Sequence, residues 1–425
     1  MAIRRHPATT FDVEQVHAAL GPGAMWVDTA GGRLAILAVP VETVASTSIA
    51  ELRAVLGPRR TLDLPFAFHG GLVGTLSYEG SGSFARVEEF AVFDHRDRVL
   101  WLVGAERWCD AVEAGLHRPV PPLRLGPGLL PPHRYARADA QYLADIARCQ
   151  AHIAAGDSYE ICLTNQAIVD ARPDPALLFR ILRRLNPAPY AALLPGPDVA
   201  VVSSSPELFL AIDREGNVTT KPIKGTAPRG ATAAEDEALA HELRTSEKTR
   251  AENVMIVDLL RNDLGRVCVT GSVAVPDLMV VETYATVHQL VSRITGRLRS
   301  GLDAFDCVEA AFPGGSMTGA PKKKTMELLA AIEGAPRGVY SGALGFFSTS
   351  GAAELAIVIR TAVIGDRTTI GVGGAITALS DPEAELAEAK LKAEGVLCGV
   401  GLALATPTST ADERRPAHGS PVGQT

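Results

Sequence analysis

Between Tyr190 and Thr220 the chain offers four short runs, Tyr190–Leu194, Asp198–Ser204, Glu207–Asp213 and Val218–Thr220, separated only by tight turns of glycine, proline and aspartate. A parallel neighbour would need a crossover of about a dozen residues or more, so connections this short dictate antiparallel pairing. Three further glycine-bounded strands follow at Gly342–Ser348, Glu354–Ile364 and Thr368–Thr377. Ahead of them come helical patterns at Asp139–Ala155 and Pro175–Leu185 with a strand at Tyr159–Asp170 between the two, and a closing helix starts at Asp381. Strands in runs interleaved with long helices imply the α+β class, with large antiparallel sheets and helices outside them.

The first hundred residues repeat the pattern. A short helix near Thr10–Leu20 precedes a hairpin over Ala24–Pro40 that turns at Gly31 and Gly32. A helix follows at Ser48–Leu56. Phe68–Gly80 places four glycines among apolar residues, as a strand does where another backbone comes close. Strands at Phe90–Phe93 and Arg98–Gly104 and a helix at Ala105–Leu116 complete this region. The proline-rich stretch from Pro119 to His133 then suggests a boundary. The expected organisation is an α+β region over 1–120, a connection over 121–135, a catalytic region over 136–404 and a disordered tail over 405–425.

Composition narrows the function. Acids outnumber bases 48 to 41, leaving a net charge of -7, and lysine and arginine form no stripe. A nucleic-acid partner is therefore not expected, because neutralising phosphates needs clustered cations. No long uncharged apolar run is present, so neither a signal peptide nor a membrane span is expected. The six cysteines contain no CxxC pair. Reduced thiols in a cytoplasmic protein are the natural reading.

Residues with chemical potential concentrate between Lys221 and Gly265. Pro222 and Gly225 bracket Lys224 in what reads as a turn. The segment from Glu235 reads as a helix that ends in the apolar run Val254–Leu260 and is closed by Gly265, with Glu252 just before that run. Taken singly, Lys224 is as readily a solvated charge, and Glu252 as readily ordinary amphipathic patterning. In DPEAELAEAK, Asp381 caps a helix with Pro382 at its first position. Glu385 and Glu388 share one face, with Lys392 a turn further on. With Glu252 these carboxylates would suit a hard cation such as Mg²⁺, although the residues alone favour a plain salt bridge between Glu388 and Lys392. Arg360 stands in an otherwise apolar strand and needs a carboxylate, from a ligand or from the protein. Gly371–Gly374 could offer backbone N–H groups to an anion or form a bulge. GGSMTG at 314–319 lacks the lysine of a phosphate loop, and GVGGAI lacks the third glycine of a dinucleotide fingerprint.

Eight segments in order, GDSYEICLTNQ, SSSPELF, PIKGT, AENVMIVDLLRNDLGRV, VHQLVS, AAFPGGSMTGAPKKKTME, VIRTA and DPEAELAEAK, resemble the chorismate-utilising enzymes. The resemblance is strongest from Gly156 to Leu397, with weaker echoes in MWVDT and FHGGLVG. It implies two apposed antiparallel sheets flanked by outer helices, with chorismate and Mg²⁺ in a cleft at one edge. By position, Glu252, Glu388 and Glu385 match the acidic metal-binding residues. Arg360 and Lys392 match those that grip the carboxylates of chorismate, near the Gly373 and Gly374 backbone and Thr226. Glu207 matches the general acid that protonates the departing C4 hydroxyl.

Lys224 separates members of the family. Relatives that form anthranilate, or that add water to chorismate, resemble PIAGT or ALAGT here. A lysine resembles the members that aminate chorismate at C4, in which the amine attacks C2 before ammonia enters at C4. Such an amine must be neutral, so its pKa is expected to be lowered by burial and nearby cations. No cysteine lies in a glycine-rich nucleophile turn, so ammonia comes from free solution or from a separate glutamine amidotransferase subunit, and the subunit is the expected source. Anthranilate formation and an inactive chorismate-binding subunit are the rival expectations. Thr249 replaces an acid common one turn before Glu252. Gln289 stands where many relatives have histidine, Phe346 where many have tyrosine, and Ala375 where glycine is common. MWVDT departs from the leucine-glutamate-serine motif that lines a tryptophan pocket in relatives.

Overall fold

A computed structural model describes residues 1–406 apart from 197 and 285–286. The tail expected from 405 onward falls, beyond Thr406, outside the described residues. Two antiparallel sheets of 12 and 10 strands dominate the molecule. Residues before Pro119 and after Tyr135 contribute strands to both. In the 12-stranded sheet Met25–Thr29 pairs with Tyr190–Leu194, and in the other Gly71–Leu76 pairs with Ala343–Ser348.

The central strands, such as Met25–Thr29, Gly71–Leu76, Phe90–Asp94 and Tyr190–Leu194, are buried along their whole length because each sheet is covered on both faces. Successive side chains of a strand point to opposite sides. Thus Val27, Ile36, Val73, Val92, Ala192 and Phe346 enter a core between the two sheets. Their neighbours Trp26, Leu37, Phe93 and Leu193 enter a second core under the helices of the 12-stranded sheet. Leu72 and Phe347 enter a third, with Ile256 and Leu260, on the outer side of the 10-stranded sheet. The order is helix, sheet, sheet, helix, as expected for the class. Burying one Leu, Ile or Phe side chain in such a layer contributes about 1.5–3 kcal/mol. The close backbone approach read from the glycines near Phe68 is real: a Cβ on Gly74 would lie 2.1 Å from the carbonyl of Ser83.

Three local expectations change. The single strand over Glu354–Ile364 is two, Ala353–Ile357 in the 10-stranded sheet and Thr361–Ile364 in the 12-stranded one. The chain passes between sheets at 358–360. The helix expected from Glu235 to Gly265 is also two, Ala233–Thr245 and Glu247–Gly265, divided at Ser246, whose hydroxyl accepts from the Thr249 amide and caps the second. Gly265 is that helix's last residue and Arg266 its cap. Two strands absent from the sequence reading, Ala274–Thr283 and Val287–Arg297, form an edge beside the site.

Candidate active site

Lys224 is in a strand and not in a turn. Ile223–Pro228 pairs with Val287–Arg297, and the register slips between Ile223 and Thr226, so Lys224 and Gly225 form a bulge that re-aims the lysine. Gly225 has φ +84°, and a Cβ there would lie 2.5 Å from the Thr249 methyl group, so glycine is required. The Lys224 side chain is buried and donates from Nζ to Glu160 Oε1 at 2.7 Å. Burial, the largest influence, pulls its pKa down. Glu160 and Glu252 together outweigh burial, and the amine is held above the ordinary lysine value. The expected lowering is therefore overturned, because the charges that decide it are carboxylates and not cations.

Glu207 and Arg360 stand at adjacent crossings between the sheets. Ala200–Ser205 belongs to the 12-stranded sheet and Leu208–Ile212 to the other, so Pro206 and Glu207 span the gap in one direction while 358–360 span it in reverse. The crossings are hydrogen-bonded to each other, from Ile357 N to Glu207 O at 3.0 Å and from Ser204 N to Arg360 O at 3.1 Å. Arg360 has φ 52°, a left-handed conformation that costs a non-glycine residue about 1–3 kcal/mol. Buried Glu207 is pushed up to about 7 by desolvation, against the opposing pull of Ser316, Lys224 and the Ile223 backbone. A carboxyl poised near neutrality can deliver a proton. Half-buried Arg360 has no carboxylate partner among the described residues, and burial lowers its pKa.

The final helix, Pro382–Ala405, is capped by Asp381, whose side chain accepts from the Ala384 amide, as its sequence dictates. It presents Glu385, Glu388 and Lys392 beside the strand Thr368–Ile376. Lys392 reaches Glu388 at 2.8 Å and donates to the Gly373 carbonyl at 3.0 Å. Lys392 outweighs the burial that opposes charge on Glu388, and the carboxyl sits below its usual pKa. Glu385 is buried and accepts from Ser380 Oγ at 2.7 Å and from Lys248 at 2.6 Å. A Cβ on Gly374 would meet Glu385 Oε2 at 3.2 Å. A Cβ on Gly373 would lie 2.3 Å from the backbone carbonyl of Leu163 on the paired strand, which cannot yield. Gly373→Ala is accordingly expected to destabilise the protein by about 1–3 kcal/mol, read as a lowered thermal midpoint.

Glu252 reaches the same space from the helix Glu247–Gly265, which is fixed by a 2.6 Å hydrogen bond from Ser292 Oγ to the buried Asn253 side chain. Desolvation pushes Glu252 up to about 7, and the nearest cation in contact is Lys248 at 3.9 Å. The three glutamates line one cavity without converging. Among the described residues no three His, Cys, Asp or Glu side chains gather closely enough to hold an ion. Lys248 lies between Glu252 and Glu385. The donor chemistry, oxygen only with its charge met by ammonium groups, is of the kind a hard cation takes, although the side chains are not gathered around one point.

All the residues singled out from the sequence, namely Lys224, Glu207, Arg360, Lys392, Gly373, Gly374, Thr226, Glu252, Glu388 and Glu385, border one cavity of about 690 Å³. Gln289, Thr249 and Ala375 border it too. Phe346 does not, and lines a separate cavity of about 420 Å³ with Phe66 and Trp101. The aromatic ring at the site is that of Tyr340. Sequence reasoning also missed Glu160, Lys248 and Ser316. For Glu160 a signal existed, a carboxylate leading the apolar strand Glu160–Val169. For Lys248 and Ser316 none did. Among the described residues no helix is long and apolar enough to cross a membrane. All six cysteines are unbridged.

The family profile described as chorismate binding enzyme matches residues 67–397. An aminodeoxychorismate synthase of Streptomyces pristinaespiralis is 46% identical over 384 residues, covering 82% of this chain and 53% of that protein. An anthranilate synthase component 1 of Streptomyces coelicolor is 38% identical over 406 residues, covering 85% and 79%. The chain thus spans about half the length of the first of these relatives. Among solved structures, anthranilate synthase component I from Streptococcus pneumoniae superposes with a TM-score of 0.77 at 28% identity, covering 87% of this chain and 93% of that one. A profile match that encloses every residue of the cavity, on a fold shared with a solved relative, leaves one assignment: the chain belongs to the chorismate binding enzyme family.

Proposed function

We propose that the chain aminates chorismate at C4, forming 4-amino-4-deoxychorismate with ammonia from a separate glutamine amidotransferase subunit. The observation that carries this reading is a buried lysine, Lys224, on the wall of the cavity that also holds Glu207 and a guanidinium with no carboxylate partner among the described residues. Similarity to aminodeoxychorismate synthases supports the same reading. The half-buried Arg360 guanidinium would take one carboxylate of the substrate in a paired hydrogen bond, and Lys392 would assist. Lys224 Nζ would then attack C2 as both ring double bonds shift, C1=C2 to C1=C6 and C5=C6 to C4=C5, and the C4–O bond breaks. Glu207 would give its proton to the departing oxygen, so that water leaves and not hydroxide. Ammonia entering at C4 would shift both double bonds back, breaking the C2–N bond and releasing the lysine. Glu252, Glu385 and Glu388 would hold Mg²⁺, which supplies divalent charge to fix a substrate carboxylate.

Mass spectrometry of chorismate incubated with the protein, Mg²⁺ and ammonium tests the reading. The expected product retains its enolpyruvyl ether. Anthranilate as the main product would overturn the assignment, and binding without turnover would favour an inactive subunit. Arg360→Ala is expected to raise the KM for chorismate by roughly ten- to a hundredfold, the value of a hydrogen-bonded charge pair, with a smaller change in kcat. Steady-state kinetics at saturating ammonium check this.

A further inference from the structure

We infer that Glu160 takes the proton of the Lys224 ammonium group at the start of each turnover, keeps it while the lysine is bonded to substrate, and returns it when the lysine departs. This rests on the proposed nucleophilic role of Lys224. The need arises from the structure. A lysine held as an ammonium ion has no lone pair with which to attack carbon. Of the groups that face it, Glu252 from the helix Glu247–Gly265, Glu388 from the final helix, Glu207 at the sheet crossing and Cys162 on the strand of Glu160 act only through space. Glu160 alone among the described residues is within hydrogen-bond reach, at 2.7 Å.

Its burial completes the argument. The Glu160 side chain is 1% exposed, and its second oxygen, Oε2, has no hydrogen-bond partner among the described residues. A carboxylate that served only as a fixed structural counter-ion would be expected to have both oxygens satisfied. One oxygen on the amine and one idle leaves room for a proton. The backbone is fixed by pairing of Glu160 with Ala320. The protons balance. Lys224-NH₃⁺ and Glu160-COO⁻ become the free amine and the carboxylic acid, and the amine then bonds to C2 and carries the positive charge. When ammonia displaces it, the amine leaves neutral and regains the proton from Glu160. The proton lost from Glu207 with the hydroxyl is replaced from solvent.

The test is formation of the Lys224 adduct from chorismate and Mg²⁺ without ammonia, followed by intact-protein mass spectrometry across a range of pH. In Glu160→Gln the amine must release its proton to solvent. Adduct formation is expected to fall roughly a hundredfold below the wild-type rate under mildly acidic conditions, and the deficit to close as the pH rises. Chorismate binding should change by no more than a few-fold. Equal rates, or a deficit that is the same at every pH, overturns the assignment of Glu160 while leaving Lys224 as nucleophile. No adduct in the wild type, together with an active Lys224→Ala, overturns the reading beneath it. Should Glu160→Gln fail to bind chorismate, Glu160→Asp is measured instead. It keeps an acceptor and should form the adduct with the pH dependence of the wild type, and a deficit in a chorismate-binding Asp variant that closes with pH overturns the inference.

Discussion

Replacing Lys224 with alanine is expected to abolish amination of chorismate at C4 while leaving Mg²⁺-dependent chorismate binding largely intact. Loss of a covalent nucleophile removes the two easier steps into which the substitution is divided, and the direct displacement of a hydroxyl group by ammonia has no comparable route. The carboxylate grips provided by Arg360 and Lys392 are untouched. Stability must be followed in parallel. Removing one partner of a buried pair costs about 3–5 kcal/mol, because Glu160 would be left charged with no counter-ion. The double variant Lys224→Ala/Glu160→Gln removes that penalty and is expected to recover most of the lost thermal midpoint without recovering turnover. Product assay and calorimetry together separate the two effects. Turnover at the wild-type rate in Lys224→Ala would remove its chemical role.

The second large effect is expected from Glu207→Gln, a change that preserves shape and deletes the proton. A positioned general acid contributes about 10²–10⁴ in rate, and kcat should fall by that order. The pH dependence carries the sharper prediction. Glu207 is pushed up to about 7 by desolvation and must be protonated to act, so the wild-type kcat/KM should decline as the pH rises above that value. Glu252 is also pushed up to about 7 but acts with the opposite sign, since a cation binds only its ionised form. At saturating Mg²⁺ the alkaline decline therefore reports Glu207, and it should be absent in Glu207→Gln. An unchanged alkaline limb in that variant would assign the acid to another group.

Legibility varied with the range of the interaction that decides each feature. Asp381 and Pro382 announce the last helix by local chemistry, and the helix starts there. The period of two in the strand Ala343–Ser348 is hidden, because both of its faces are apolar: Leu344 meets the opposite sheet and Phe347 a helix layer. Glu354–Ile364 looked like one strand because nothing local marks a passage between sheets. Position 360 carries an arginine where a left-handed backbone would ordinarily call for glycine. Phe346 stands where many relatives have tyrosine, and its alternation puts it in the core between the sheets. The pKa expectation for Lys224 went wrong in sign because its partner, Glu160, is 64 residues away in the chain.

By itself the amino-acid sequence determined the class and the antiparallel pairing, because short turns and helix caps act locally, while the set of residues that meet in the cavity came from the resemblance of its ordered motifs to a known family. Which charges stand next to which was decided only by the tertiary structure. Glu160 beside Lys224, Lys248 between Glu252 and Glu385, and Glu207 and Arg360 on neighbouring crossings all depend on strand register and sheet apposition. Electrostatic energies vary with separations of a few ångströms and with burial, and neither is written along the chain.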